Sequence, residues 1–197
     1  MVSEMVSEVI NRFGTVHVLA NNAGGVGKFS SFDQLSDQDW LEVFELNVMS
    51  AVRATRAVLP HMQRQKWGRV INISSESGTQ PDAFMPQYNA SKSTLNSLTK
   101  SLSKAYAKDG ILVNTVSPAS IMTPLVEEFM GQRAKATVVS RAQAEAEFLA
   151  QNRPHIELKR PGRSEEVASA VVFLASEEAS FITGTNLRVD GGSVASI

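Results

Sequence analysis

Three side chains in one short stretch have types and spacing suited to moving a proton: Ser75, Tyr88 and Lys92, within residues 74–92. Tyr88 and Lys92 stand four apart, so a helix sets one above the other on a single face. Leu95, Leu98, Leu102 and Ala105 recur at helical spacing and predict that helix over 87–108. A free phenol has a pKa of about 10 and is a poor base near neutrality. A fixed ammonium nearby favours the phenolate, so the expectation is that Lys92 lowers the pKa of Tyr88 and makes it a proton donor and acceptor. Ser75 follows an apolar, β-branched run, Arg69–Ile73, that reads as a buried strand. From a strand end its hydroxyl could bond a ligand oxygen whose charge changes. Taken alone, the same residues also describe a loop serine and a solvated Tyr/Lys pair, and the choice depends on the rest of the chain.

The elements that position these residues alternate. A helix over 3–13 stops at Gly14, and Val16–Ala20 reads as a buried strand opening into Asn21-Asn22-Ala23-Gly24-Gly25. Ser36–Asp39 has the form of a capping box and starts a long apolar helix over 37–62, with Pro60 near its end. A third strand spans 111–117, Ser164–Glu166 caps a helix carrying Val167, Val171 and Leu174, and a last strand spans 185–190 before Gly191-Gly192. Strand and helix alternate without hairpin turns, which predicts an α/β fold with a parallel sheet flanked by helices. On such sheets ligands bind beyond the carboxyl ends of the strands, and Asn22, Ser75 and Ile121 all follow strand ends. Residues 124–160 interrupt the rhythm with helical stretches at 124–131 and 137–151, read either as a lid over a site or as a peripheral helix pair.

Composition narrows the classes. The chain has 197 residues, 43% hydrophobic and 20% charged, enough for one domain with a sizeable core. A net charge of −1 argues against nucleic-acid and anionic-membrane partners. The absence of cysteine excludes a disulfide framework and a thiol nucleophile and fits a cytoplasmic protein. Three scattered histidines, at 17, 61 and 155, offer no Cys/His metal cluster, and the expectation is no metal. Gly25-Val-Gly27-Lys28 fails as a dinucleotide fingerprint because Ser30 stands at the third glycine, and as a phosphate loop because Asn22 and Phe29 stand at its required positions. Asn47 sits among apolar residues mid-helix, where asparagine is a mediocre choice. It reads either as a hydrogen bond to a neighbouring loop or as a group holding a carbonyl or water at the site.

Together these motifs resemble the short-chain dehydrogenase/reductase family over essentially the whole chain. Asn21–Gly24 matches its NNAG turn, Asn47 its helix asparagine, Ser75 with Tyr88-x-x-x-Lys92 its serine and Tyr/Lys pair, 118–123 its nicotinamide-flanking segment, and 188–192 its closing strand. The resemblance implies a Rossmann-like doubly wound sheet and hydride transfer between NAD or NADP and a ketone or secondary alcohol, including 3-oxoacyl-carrier-protein-reductase-like activity. It implies Tyr88 as general acid/base and Lys92 as the group that depresses its pKa and holds the nicotinamide ribose. Ser75 would orient the substrate oxygen, and Asn47 would hold a water behind Lys92. Asn22, Ala23 and Gly24 would lie at the adenosine ribose and phosphates, and Ile121 and Thr123 at the carboxamide. It implies a homo-oligomer, dimer or tetramer, through the helices at 37–62 and 87–108. Ala119 departs from the family's usual glycine. The family's opening strand and glycine-rich turn have no counterpart before the first helix, so the expectation is one domain over 1–197 without the N-terminal βαβ portion, with NAD versus NADP unreadable. A non-catalytic fragment or subunit that associates with full-length relatives, or a start assigned at an internal Met, are the alternatives.

Overall fold

The computed structural model describes residues 2–195. Four strands form one parallel sheet in the order β1 (Val18–Asn21), β2 (Gly68–Ile73), β3 (Ile111–Pro118) and β6 (Asn186–Val189). Two short strands, β4 (Ile121–Met122) and β5 (Gly162–Arg163), pair in parallel apart from it. Strand residues alternate between two apolar layers, as the pleat requires. On one side Val70, Ile111 and Val113 pack with Val6 of α1 (Val2–Phe13) and with Val58, Leu59 and Met62 of α3 (Ser50–Gln65). Leu102 and Tyr106 of α4 (Pro86–Tyr106) complete that layer. On the other side Ile71 and Val116 meet Leu174 of α7 (Ser164–Ala175).

Helices on both faces make the sheet doubly wound, in agreement with the sequence, but cover is uneven. Among the described residues α7 is the one long helix on the second face, and Val18, Val172 and Phe173 are exposed. The outer edge of β1 pairs with no strand among the described residues. No helix there is long and apolar enough to cross a membrane.

The helix expected over 37–62 is three pieces. Ser36 caps α2 (Asp37–Phe44) with the reciprocal Ser36–Asp39 box. A π-helical turn, Glu45–Met49, follows and carries Asn47, and α3 runs on past Pro60 to Gln65. Pro60 falls inside α3 rather than near its end, and Lys66 ends that helix in the left-handed conformation, φ 55°. In the excursion, α5 (Pro124–Thr137) and α6 (Arg141–Asn152) break at Val138, φ 57°, so α5 extends further than its apolar pattern suggests. Ser164 is the first residue of α7, not its cap; the Glu166 carboxylate takes the Arg163 amide at 2.8 Å instead.

A chain of buried polar groups that the sequence reading missed crosses the sheet on the α3/α4 side. Asn21 Nδ2 donates to Thr55 Oγ1 at 3.1 Å and to Asn72 Oδ1 at 2.8 Å. Asn72 Nδ2 donates to Thr99 Oγ1, which also accepts from Thr115 Oγ1, both at 2.8 Å. Adjacent strands and both helices are thereby stitched at one level, since Asn21, Asn72 and Thr115 are register partners across the three strands.

Gly110 turns the chain into β3 at φ +74°, and its carbonyl accepts the Gly68 amide at 3.2 Å where β2 begins. A Cβ there would stand 2.1 Å from the Lys66 carbonyl oxygen, a backbone atom with no room to yield. Gly110→Ala is expected to destabilise the fold by about 2 kcal/mol or more in urea unfolding, from the left-handed strain and the clash together.

Candidate active site

The carboxyl ends of β1, β2 and β3 deliver the candidate residues to one edge. β2 ends at Ile73, and Ser74 and Ser75 follow; the Ser75 hydroxyl accepts the Ser77 amide at 3.2 Å and opens a short 3-10 turn, Glu76–Gly78. Pro86 sits at the first turn of α4, where its missing N–H costs nothing, and sets Tyr88 and Lys92 on the face toward β2. Lys92 is buried, 3% exposed, and its ammonium donates to the Ile73 carbonyl oxygen at 2.9 Å. It also lies 5.5 Å from the centre of the Tyr88 ring. Ser75 sits beside the Tyr88 phenol, near enough for its hydroxyl to favour the phenolate. The three side chains singled out by spacing do converge.

The electrostatics differ from the sequence expectation. Burial pushes the Tyr88 phenol above its usual value; the Ser75 hydroxyl and the Arg153 charge pull it back, and Glu76 pushes it up. Lys92 is not among the groups that lower it. Burial instead holds the Lys92 ammonium itself down, to about 8. Desolvation thus outweighs the attraction of a cation set over the ring rather than at the hydroxyl.

Asn47 has its side chain engaged at the turn after β1. Its Oδ1 accepts the Gly25 amide at 2.8 Å, and its Nδ2 donates to Gly25 O at 3.0 Å and Ser91 Oγ at 2.9 Å. The loop-bonding reading therefore holds for the side chain, which ties the turn after β1 to α4. At Gly24 a Cβ would come within 3.1 Å of Asn47 Oδ1 and 3.2 Å of Lys92 Nζ, so glycine keeps this approach to the ammonium open. Gln87, fully buried and unforeseen, donates to the carbonyls of Lys28 at 2.6 Å and Val26 at 3.3 Å and holds the same loop from α4. An amide directly before Tyr88 was the one available signal for it.

Asn22, Ile121 and Thr123 line a cleft of about 420 Å³ beyond the strand ends, with Ile73, Pro118 and Val167. Thr123 doubles as the cap of α5, accepting the Val126 amide at 3.4 Å. Ala23 and Gly24 lie exposed on the β1 turn. Ile73 joins the two groups, lining the cleft with its side chain and holding Lys92 with its carbonyl. A mostly apolar cleft, a glycine that leaves an ammonium approachable and that ammonium's remaining N–H donors together fit the nicotinamide end of a dinucleotide. Among the described residues no cluster of His, Asp and Glu is suited to a metal.

A family model described as enoyl-(acyl carrier protein) reductase matches residues 1–194. The chain belongs to the short-chain dehydrogenase/reductase family. It is 38% identical over 194 residues to the uncharacterized oxidoreductase YvaG of Bacillus subtilis, covering 98% of this chain and 73% of the relative. It is 34% identical over 193 residues to the 3-oxoacyl-[acyl-carrier-protein] reductase FabG of Thermotoga maritima, covering 98% and 72%. The structure matches that of L-sorbose reductase from Gluconobacter frateurii, complexed with NADPH and L-sorbose, with a TM-score of 0.91 at 32% identity, over 100% of this chain and 73% of that one. Membership makes this an oxidoreductase of a nicotinamide-dependent family on a Rossmann fold.

The buried ammonium has a measurable cost. Unfolded, Lys92 keeps its proton up to about 10.5; folded, only to about 8. Between those values the unfolded chain binds more protons, so stability rises with pH across that window. Lys92→Met is expected to raise unfolding free energy at pH 7 by about 2 kcal/mol, roughly 3 from relieved burial less about 1 for the lost hydrogen bond. The gap should close as pH approaches the unfolded value, which urea titrations at several pH values would show.

Proposed function

We propose that this chain transfers a hydride reversibly between a nicotinamide cofactor and a ketone or secondary alcohol, with Tyr88 as general acid/base. The observation that carries the reading is the convergence of Ser75, Tyr88 and Lys92 at the end of β2. The cofactor, when bound, supplies or accepts the hydride. In reduction the Tyr88 hydroxyl gives its proton to the carbonyl oxygen as negative charge grows there, and Ser75 donates a second hydrogen bond to that oxygen. Lys92 holds ribose hydroxyls with the donors not spent on Ile73. Asn47 and Gln87 keep the turn bearing Asn22, Ala23 and Gly24 in place, and Ile121 and Thr123 bound the carboxamide side of the cleft. Because burial keeps the phenol protonated near neutrality, carbonyl reduction is the favoured direction there, and alcohol oxidation rises with pH as the phenolate fills.

The excursion 124–160 is the substrate-side cover, with Leu125 and Phe129 exposed on α5 and Phe129 packed edge-on against Phe148 of α6 at 6.1 Å. The identity of the FabG relative favours 3-oxoacyl substrates and that of the sorbose reductase a ketose, with NADPH as the cofactor to try first. The active form is a cytoplasmic homo-oligomer. Leu41 and Leu46 are exposed along the α2–α3 line, and Phe32 packs on Trp40 beside them. A second reading, a subunit that acts only with another chain, is favoured by the exposed Val18, Val172 and Phe173.

Fluorescence titration of the purified chain with NADH and with NADPH tests the cofactor half, and saturable binding of one is expected. Tyr88→Phe should then lower kcat by about 10²- to 10⁴-fold while leaving that binding largely unchanged. Undiminished turnover in the variant would overturn the mechanism. Sedimentation of the same sample separates the two readings, since a homo-oligomer that turns over with no other chain present rules out the second.

A further inference from the structure

Directly after Ser75 the chain buries a carboxylate that the mechanism above does not use. Glu76 is 5% exposed, and its Oε2 has no partner among the described residues. Its Oε1 faces Arg153 Nε at 3.3 Å, and the same guanidinium reaches Asp82 Oδ2 with its NH2 at 3.0 Å. Arg153 is the residue that closes α6, where the excursion returns to the body of the fold. Glu76 opens the 3-10 turn after Ser75, and Asp82 stands midway along the loop from that turn to α4. One cation therefore ties three segments together, and its charge is felt at Tyr88.

A buried carboxylate with one free oxygen is costly unless a cation stands beside it. Burial does push Glu76 upward; a hydrogen bond from Ser193 and the Arg153 charge pull it back, while Asp82 and Asp190 push it up. The same two charges are felt in opposite senses at Tyr88, Arg153 favouring the phenolate and Glu76 opposing it. Lys92, the remaining charged neighbour, lies over the ring face.

We propose that Arg153 is a positioning residue for the Tyr88 hydroxyl: by clasping Glu76 and Asp82 it fixes the end of α6, and the balance of charge around the phenol, relative to Ser75. Arg153 touches neither substrate nor cofactor in this scheme. It acts through Glu76 and through its field. The relevance to catalysis rests on the proposed role of Tyr88, but the test does not require turnover.

Tyrosinate absorbance near 295 nm, taken within milliseconds of a pH jump to precede alkaline unfolding, gives the Tyr88 titration as the difference between the protein and its Tyr88→Phe variant. Arg153→Gln is expected to move that titration up by about 0.5 to 1 unit, and Glu76→Gln to move it down by a similar amount. The double variant should return near the parent, and Arg153→Lys should restore most of the shift. A purely structural role for Arg153 would not produce opposite shifts from the two halves of one pair. An unmoved titration in a folded Arg153→Gln, or shifts of the same sign in both single variants, would overturn the proposal. If Arg153→Gln does not fold, Glu76→Gln decides alone: a downward shift supports the clasp and no shift removes it. Loss of hydride transfer with these shifts intact would discard the catalytic reading and leave the clasp standing.

Discussion

An ammonium held out of water against the last carbonyl of a sheet strand is the constraint around which this site is arranged. Lys92 donates to Ile73 O at the end of β2, and that bond holds α4 to the sheet where the candidate residues gather. Tyr88, one turn earlier, is carried to the Ser75 hydroxyl by the same bond. Gly24 can approach only because it has no side chain to meet the ammonium. The desolvation that makes Lys92 expensive is also what strengthens every polar interaction around it.

Two amide side chains make the arrangement rigid. Asn47, on a π-helical turn, grips Gly25 through both its backbone groups, and Gln87, at the start of α4, grips the carbonyls one and three residues later. The turn after β1 is thus held from two helices rather than by its own residues. A π turn is a costly helical form that is common at functional sites. Here it accompanies an asparagine whose three polar contacts are all directed at the turn and at Ser91.

The fold was largely legible because its signals are local. Apolar β-branched runs marked β2 and β3, and leucines at helical spacing marked α4 within a residue or two. Ser75, Tyr88 and Lys92 could be placed together because a strand end and a four-residue helical step fix their geometry. What was not legible depends on long-range packing. The break at 45–49 left only Asn47 as a trace, and one asparagine does not tell a π turn from an α-helix. The sign at Tyr88 turned on burial against cation geometry, which spacing cannot weigh. Glu76, Gln87 and Arg153 read as ordinary loop or helix polar residues until the fold sets Gln87 against the 26–28 loop and Arg153 against Glu76.

The polar chain from Thr55 through Asn21, Asn72 and Thr99 to Thr115 has a meaning beyond hydrogen bonding. A parallel sheet whose packed positions are mostly Val, Ile and Leu has several nearly equivalent ways to align. Sliding β2 by one residue past its neighbours would turn Asn72 toward the apolar side that packs on α7 and strand the amide of Asn21 and the hydroxyl of Thr99 without it. Misaligned sheets are thereby made expensive at a single point. Because Ser75 lies three residues beyond Asn72 on the same strand exit, the device that rejects wrong alignments during folding also decides, to within one residue, where the candidate hydroxyl ends up.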